Sequence, residues 1–161
     1  MTQPHFHLLV NHLPIFFPVA ALLILVAGIV LKNEIIKRVA YALLVVSAMG
    51  AFVASSSGEG AEEAIEHTAG ISENLIHIHE ESSEVFSLLS YLLGAFSLVA
   101  MWASFKQKSF ANLMAFAILI FVAVNLYFAK QTGTSGGEII HQEIRTNATQ
   151  SNSNNSTNED D

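Results

Sequence analysis

"LLVNHLPIFFPVAALLILVAGIVL", residues 8–31, contains no Asp, Glu, Lys or Arg. A helix needs about 20 predominantly apolar residues to cross the hydrocarbon core of a bilayer, and this run is long enough. Three more runs without charged residues follow, at residues 39–58, 85–105 and 109–129. The helices of a soluble bundle would show polar faces at the helical period, which these runs lack over most of their length. The pattern therefore predicts an all-α membrane protein, a bundle of four transmembrane helices.

Composition narrows the classes of function. Of the 161 residues, 52% are hydrophobic and 13% are charged, unlike an average soluble protein. The chain has no cysteine, which excludes disulfides, thiolate metal sites and covalent haem attachment through cysteine pairs. Without a basic patch for a phosphate backbone, nucleic acid is not an expected partner. Residues 146–161 are polar and of low complexity, so we expect a disordered tail after a membrane domain at 1–145.

The basic residues predict an orientation in the membrane. Segment 58–84 contains no Lys or Arg, whereas the two short connections between the predicted helices are basic. Loops rich in Lys and Arg stay in the cytoplasm. Both termini and segment 58–84 are therefore expected on the outer side of the cell (inner) membrane, which in a bacterium is the periplasm. Five of the seven basic residues lie in those two connections: Lys32, Lys37, Arg38, Lys106 and Lys108.

All the histidines fall on this predicted outer side. They precede or open the first helix, lie between the second and third, or follow the fourth, whereas the inner half is almost purely apolar. This asymmetry predicts a polar, histidine-rich site at the outer end of the helices. The seven residues are His5, His7, His12, His67, His77, His79 and His141.

Two segments outside the membrane runs carry turn signals. Segment 58–84 is expected to be an outer loop with two helical pieces, and the first piece (61–67) places Glu63 and His67 on one face. Ser72 is the predicted N-cap of the second piece, which should continue into the third membrane helix. The glycines of "TGTSGGEIIHQEIR" (132–145) predict that this segment folds back over the outer helix ends.

The chain contains a short internal sequence repeat. "HFH" (5–7) precedes the first helix and "HIH" (77–79) precedes the third, and each helical hairpin ends in a Ser-Gly stretch, "SGEG" from position 57 and "SGGE" from position 135. Two parallel hairpins related by an axis along the membrane normal would produce this pattern.

Several short motifs resemble a known family. "HLLVNHLP", "SGEGAEE", the pair His79–Glu80 and the glycine-pair stretch ending at His141 are similar to motifs of the small four-helix membrane family catalogued as domain of unknown function 2231. The resemblance covers roughly residues 5–145, although here no Pro follows His7 and Asn11 stands before His12. It implies a multi-pass membrane protein without an established activity, whose relatives are sometimes fused to Rieske or cytochrome-type redox modules.

The candidate site combines three histidines. His12 lies inside an apolar run, where ionisable residues usually face the helix interior. On one helix, His79 shares the face of Leu75 and Phe86, so it is expected to face His12. His141 would close the site from the returning segment, with His7 as a spare or supporting ring.

The remaining polar residues fall into two groups: those expected only to contact solvent or the membrane surface, and those that could take part in a site. His5, His67 and His77 fit solvated or interfacial anchors, and the acidic residues mostly fit a solvated face. Three acids could instead orient or join a ligating imidazole. They are Glu63, Glu80 and Glu84.

Three functions remain open. A haem b held by two histidines would make the protein an electron-transfer component with redox partners, and Gly50, Ser90 and Gly94 would leave room for a flat ring. Alternatively, a divalent metal (Zn or Cu) could be bound or transported by histidines and glutamates. The third function is a structural subunit of a larger membrane complex. An enzyme is not favoured, because the chain has no P-loop, HExxH or nucleophile elbow. The candidate metal ligands are His12, His79, His141, Glu80, Glu63 and His67.

Overall fold

The computed structural model describes residues 2–65 and 71–145. Within these ranges the chain is helical and has no strand. Five α-helices are present, followed by a 3₁₀ turn at Gln142–Ile144. The α-helices are α1 (Gln3–Val10), α2 (Leu13–Val30), α3 (Glu34–Glu63), α4 (Glu73–Phe105) and α5 (Ala111–Ile140).

Four helical stretches are long and apolar enough to cross a membrane, if α1 and α2 are counted together. Each contains all or nearly all of one of the four predicted runs. Many large apolar side chains are exposed on them, including Phe16, Leu23, Phe52 and Ile120. Such a surface fits contact with lipid, and the coarser part of the prediction is confirmed: the described chain is all-helical and has four helical stretches long and apolar enough to span a membrane.

The predicted first helix is divided in two. Pro14 has no amide proton to donate to the carbonyl of Val10, and α1 ends at Val10 while α2 begins at Leu13. Pro18 likewise frees the carbonyl of Pro14, which accepts a 3.4 Å bond from the Ser47 hydroxyl. The break at residues 11–12 therefore follows from the prolines that the sequence placed there.

The other helices run well past the predicted spans. The helix that contains run 39–58 begins at Glu34, where the Asn33 side chain caps the amides of Ile35 (2.9 Å) and Ile36 (3.2 Å), and it continues to Glu63. Glycines 58 and 60 do not interrupt it, since α1 packs against them. The predicted separate helical piece at 61–67 is thus wrong up to Glu63, and residues 66–70 lie outside the described part of the chain.

The third membrane helix and its extension form one element, as predicted. α4 begins at Glu73 with Ser72 at its N-cap and runs unbroken to Phe105. Most of the expected outer loop 58–84 is therefore helical and belongs to the ends of α3 and α4.

The expected return of the chain at 132–145 is wrong over most of its length. α5 continues to Ile140, and glycines 133, 136 and 137 lie inside it. Only the residues after Ile140 turn back. Their return is held by Arg145, which donates to the carbonyls of Glu138 (2.8 Å) and Ile139 (3.0 Å) at the helix end. The predicted tail, 146–161, lies outside the described residues.

The helices pack in chain order. α2 contacts α3, α3 contacts α4, α4 contacts α5, and α2 also contacts α5, while α1 lies on α3. The buried core between them is apolar and includes Leu25, Leu44, Leu93, Ile118 and Val122. We call the end with the C-terminus of α3 and the N-termini of α1 and α4 the histidine end, and the opposite end the basic end.

A charged network that the sequence analysis did not foresee ties the helices together at the basic end. Lys37 is 3% exposed, forms an ion pair with Glu34 and donates to Asn112 at 2.9 Å. Arg38 donates to the hydroxyl and carbonyl of Ser104, both at 2.9 Å, and the Ser104 hydroxyl donates to Glu34. The network therefore joins α3 to both α4 and α5.

Replacing the buried lysine should weaken the fold. Lys37→Met removes the ion pair and the bond to Asn112, so we expect the free energy of unfolding to fall by about 1–3 kcal/mol. The matched change Lys106→Met, at an exposed lysine of the same end, should alter it by less than about 0.5 kcal/mol. Unfolding in detergent micelles compares the two; equal stability of both variants would show that the network contributes nothing.

Candidate functional site

His7 points from α1 into the helix assembly. Its Nδ1 lies 3.1 Å from the carbonyl oxygen of Ala54 and 3.0 Å from the Ser57 hydroxyl, both on α3. The Ser57 hydroxyl itself donates to the Ala54 carbonyl at 2.9 Å. Because a carbonyl can only accept, Nδ1 carries the ring proton, and Nε2 is left with a lone pair.

His79 is held by a serine in the same way, on α5. Its Nδ1 lies 3.1 Å from the Ser135 hydroxyl. The Ser135 hydroxyl donates to the Thr132 carbonyl at 3.0 Å, as Ser57 does to Ala54. The prediction that His79 points toward the packed interior is confirmed.

The two rings lie at the same end of the helices, within range of each other's charge. His7 and His79 are close enough to interact electrostatically, although they lie on different helices 72 positions apart in the chain. Both are half-buried. The structure therefore brings together two imidazoles, each fixed through Nδ1 and each with Nε2 outside that bond.

His12 does not face His79. Its side chain is exposed, its Nδ1 lies 2.9 Å from the Leu8 carbonyl of its own segment, and its ring stacks on Phe16 at 5.9 Å between centroids. At about 100° per residue, positions 7 and 12 lie about 140° apart around a helix, so only one of them can point inward. The expected pairing of His12 with His79 is wrong, and His7 takes that place.

His141 does not close the site. It is the residue after α5, its side chain is exposed, and Nδ1 pairs with the Glu143 carboxylate at 3.0 Å. A bond to its own backbone amide, and then His141, hold the pKa of the Glu143 carboxyl below its usual value. The pair is a local contact beside the 3₁₀ turn.

The other predicted ligands stay apart from the imidazole pair. Glu63, Glu80 and Glu84 are exposed, as are His5 and His77, and His77 lies 3.6 Å from Glu81 one turn along α4. His67 lies outside the described residues. Within residues 2–65 and 71–145, no group of three or more His, Asp or Glu side chains is arranged to hold a metal ion.

The small residues expected to leave room for a flat ring are used for helix packing. A Cβ at Gly94 would lie 2.5 Å from the Ala48 Cβ, and one at Gly50 would lie 2.9 Å from the Leu13 Cβ. Ser90 accepts a 3.0 Å bond from the Asn125 amide. These positions bring helices together, although Gly94 also lines an open, apolar groove between α3 and α4.

Two carboxamide groups are buried within the outer half of the predicted spans. The Oδ1 atoms of Asn11 and Asn125 have no hydrogen-bond partner among the described residues, and Asn125 is fully buried. Asn11 lies at the break between α1 and α2, one helical turn from His7. The interior therefore keeps unused acceptor capacity at these two positions.

Compared with known proteins, the chain matches no family model, no curated protein and no solved structure. The resemblance to the four-helix family of unknown function stays a prediction that rests on short motifs.

Proposed function

We propose that this chain is a multi-pass membrane protein that binds haem b between His7 and His79 and transfers electrons near one membrane surface. The observation that carries the proposal is the imidazole pair: two neighbouring rings on different helices, each with Nδ1 engaged and Nε2 available. Ligating histidines commonly donate their second ring nitrogen to a carbonyl or hydroxyl, which fixes the ring and raises the basicity of the ligand.

The number of donors favours haem over a single metal ion. A haem supplies four of its own nitrogens to iron and needs only two axial protein ligands, and histidine is a standard one. A protein-bound Zn or Cu ion needs three or four convergent side chains. Beyond His7 and His79, the residues expected to complete such a set are exposed or separate, within the described part of the chain.

The chain's own groups would fix the two histidine rings and shield them from solvent. The Ser57 and Ser135 hydroxyls donate their own protons to backbone carbonyls and can accept from each Nδ1, so that each Nε2 could donate its lone pair to iron. The helices shield the rings from part of the bulk solvent, since both are half-buried. A bound haem would supply one-electron transfer there, and the lipid bilayer and redox partner proteins, or a larger membrane complex, would complete the path.

The orientation of this site follows from the loop charges. We place the four helices as a bundle in the cell (inner) membrane, with the basic end in the cytoplasm and both termini outside. A periplasm-specific reporter fused after Arg145 should be active, and one fused within 106–108 should not. The reverse pattern would put the imidazole pair at the cytoplasmic surface and contradict this placement.

The optical spectrum of the purified protein tests the function. After expression with ample haem, the reduced-minus-oxidised spectrum should be that of a low-spin, bis-histidine haem. A colourless protein would overturn the proposal. Metal analysis then separates the remaining alternatives: stoichiometric Zn or Cu would indicate a metal-binding protein, and its absence would favour a structural subunit.

A further inference from the structure

Each ring of the imidazole pair contacts a Ser-Gly pair on another helix: Ser57-Gly58 of α3 for His7, and Ser135-Gly136 of α5 for His79. His7 contacts Ser57, and a Cβ at the adjacent Gly58 would lie 3.7 Å from the His7 Cε1. His79 contacts Ser135, and a Cβ at the adjacent Gly136 would lie 2.8 Å from the His79 Cε1. In both places the serine bonds the ring and the adjacent glycine faces it, and at Gly136 the close approach of the ring requires the missing side chain.

The hydrogen bonds within the two anchors also match. Ser57 donates to the carbonyl three residues before it, that of Ala54, and Ser135 donates to the carbonyl three residues before it, that of Thr132. In both anchors the serine oxygen, whose own proton is donated to that carbonyl, lies within hydrogen-bond distance of Nδ1 of the ring. The sequence repeat, in which "HFH" and "HIH" are each followed by a later Ser-Gly pair, therefore corresponds to a repeated arrangement of side chains.

We propose that Ser57-Gly58 and Ser135-Gly136 are duplicated positioning devices that fix both histidines as the Nδ1–H tautomer. In this tautomer both Nε2 atoms carry a lone pair. The pair of rings is therefore suited to bind one electron-poor centre that accepts two lone pairs. An anion or a hydrogen-bond acceptor finds no donor at either Nε2. The identity of that centre as haem iron rests on the proposed function, whereas the tautomers do not depend on it.

Histidine NMR tests the tautomers directly. In protein labelled with ¹⁵N-histidine and purified from haem-limited cells, at alkaline pH where both rings are neutral, His7 and His79 should both show Nδ1–H signals. Single variants His7→Ala and His79→Ala assign the signals. A histidine side chain free in solution favours Nε2–H, so Nε2–H at either ring would overturn the inference, whether or not the protein binds haem.

Serine variants test the duplication. Ser57→Ala and Ser135→Ala should each weaken haem binding about 10-fold to 100-fold, to a similar degree, and raise the Nε2–H fraction of the ring they contact. Ser57→Thr and Ser135→Thr keep a hydroxyl and should restore both readouts. Ser56→Ala is the matched control, because its exposed hydroxyl bonds only its own helix at Phe52.

The outcomes separate the two proposals. Nδ1–H tautomers that shift in the serine variants support the positioning devices even if no haem binds, in which case only the proposed function fails. Unchanged tautomers in Ser57→Ala and Ser135→Ala would overturn the role of the serines, even if the wild-type protein binds haem normally.

Discussion

His7→Ala and His79→Ala should each abolish the low-spin haem spectrum or convert it to a high-spin one, because each removes one of two axial nitrogens. This is the largest functional effect that we expect. Neither ring belongs to the buried apolar core, so both variants should still insert and remain helical. Haem titration of the purified variants, followed by absorbance, measures the effect.

Two histidines near the pair serve as matched controls. His12→Ala, five residues from His7, and His77→Ala, two residues from His79, should keep the wild-type spectrum, since both side chains are exposed. Loss of the spectrum in His12→Ala with retention in His7→Ala would restore the pairing that the sequence analysis expected, and would contradict the site described above.

Gly94→Val should have the largest effect on stability. A Cβ at Gly94 alone would lie 2.5 Å from the Cβ of Ala48, so α3 and α4 would have to separate. Forcing extra atoms into a packed contact commonly destabilises by about 1–3 kcal/mol, and we expect the upper part of that range or more for a branched side chain between two backbones. The midpoint of unfolding in detergent measures it.

Gly133→Ala is the control for this change. Gly133 also lies inside a long helix, but a Cβ there would meet no atom within 4 Å. We expect this variant to be as stable as the wild type or more stable by up to about 1 kcal/mol, because alanine favours the helix. A Gly94→Val variant that unfolds at the wild-type midpoint would mean that α3 and α4 are not in close contact at this point.

The helices themselves could be predicted from the sequence because hydropathy is a local property. Each uncharged run is mostly helical, although the first is divided between α1 and α2, and the N-cap at Ser72 was correct. Turn signals were less reliable. Glycines at 58, 136 and 137 suggested loops, but each lies in a helix against a ring or a returning side chain, which no local pattern reveals.

The site was partly predictable. His79 shared a face with buried residues, so its inward direction could be derived from the helical period. The choice between His7 and His12 depended on the rotation of α1, and depth in the apolar run favoured the wrong one. The internal sequence repeat indicated the correct histidine: His79 ends "HIH", and its counterpart at the end of "HFH" is His7.

The network at the basic end could not be found from charge patterns. Glu34 and Ser104 are 70 positions apart, and Lys37 and Asn112 are 75 apart. Loop charges predict which end faces the cytoplasm, but the partners of each charge depend on helix packing. A buried, paired Lys37 was therefore not separable from the exposed lysines by sequence.

Cross-linking of paired cysteines tests the central claim, that His7 and His79 are neighbours, most directly. The chain has no cysteine of its own, so His7→Cys/His79→Cys and His12→Cys/His79→Cys can be compared in membranes without background. With a short bifunctional thiol reagent, mass spectrometry should find the linked 7–79 peptides and little or no 12–79 product. Efficient linkage of 12 to 79 without linkage of 7 to 79 would contradict the account.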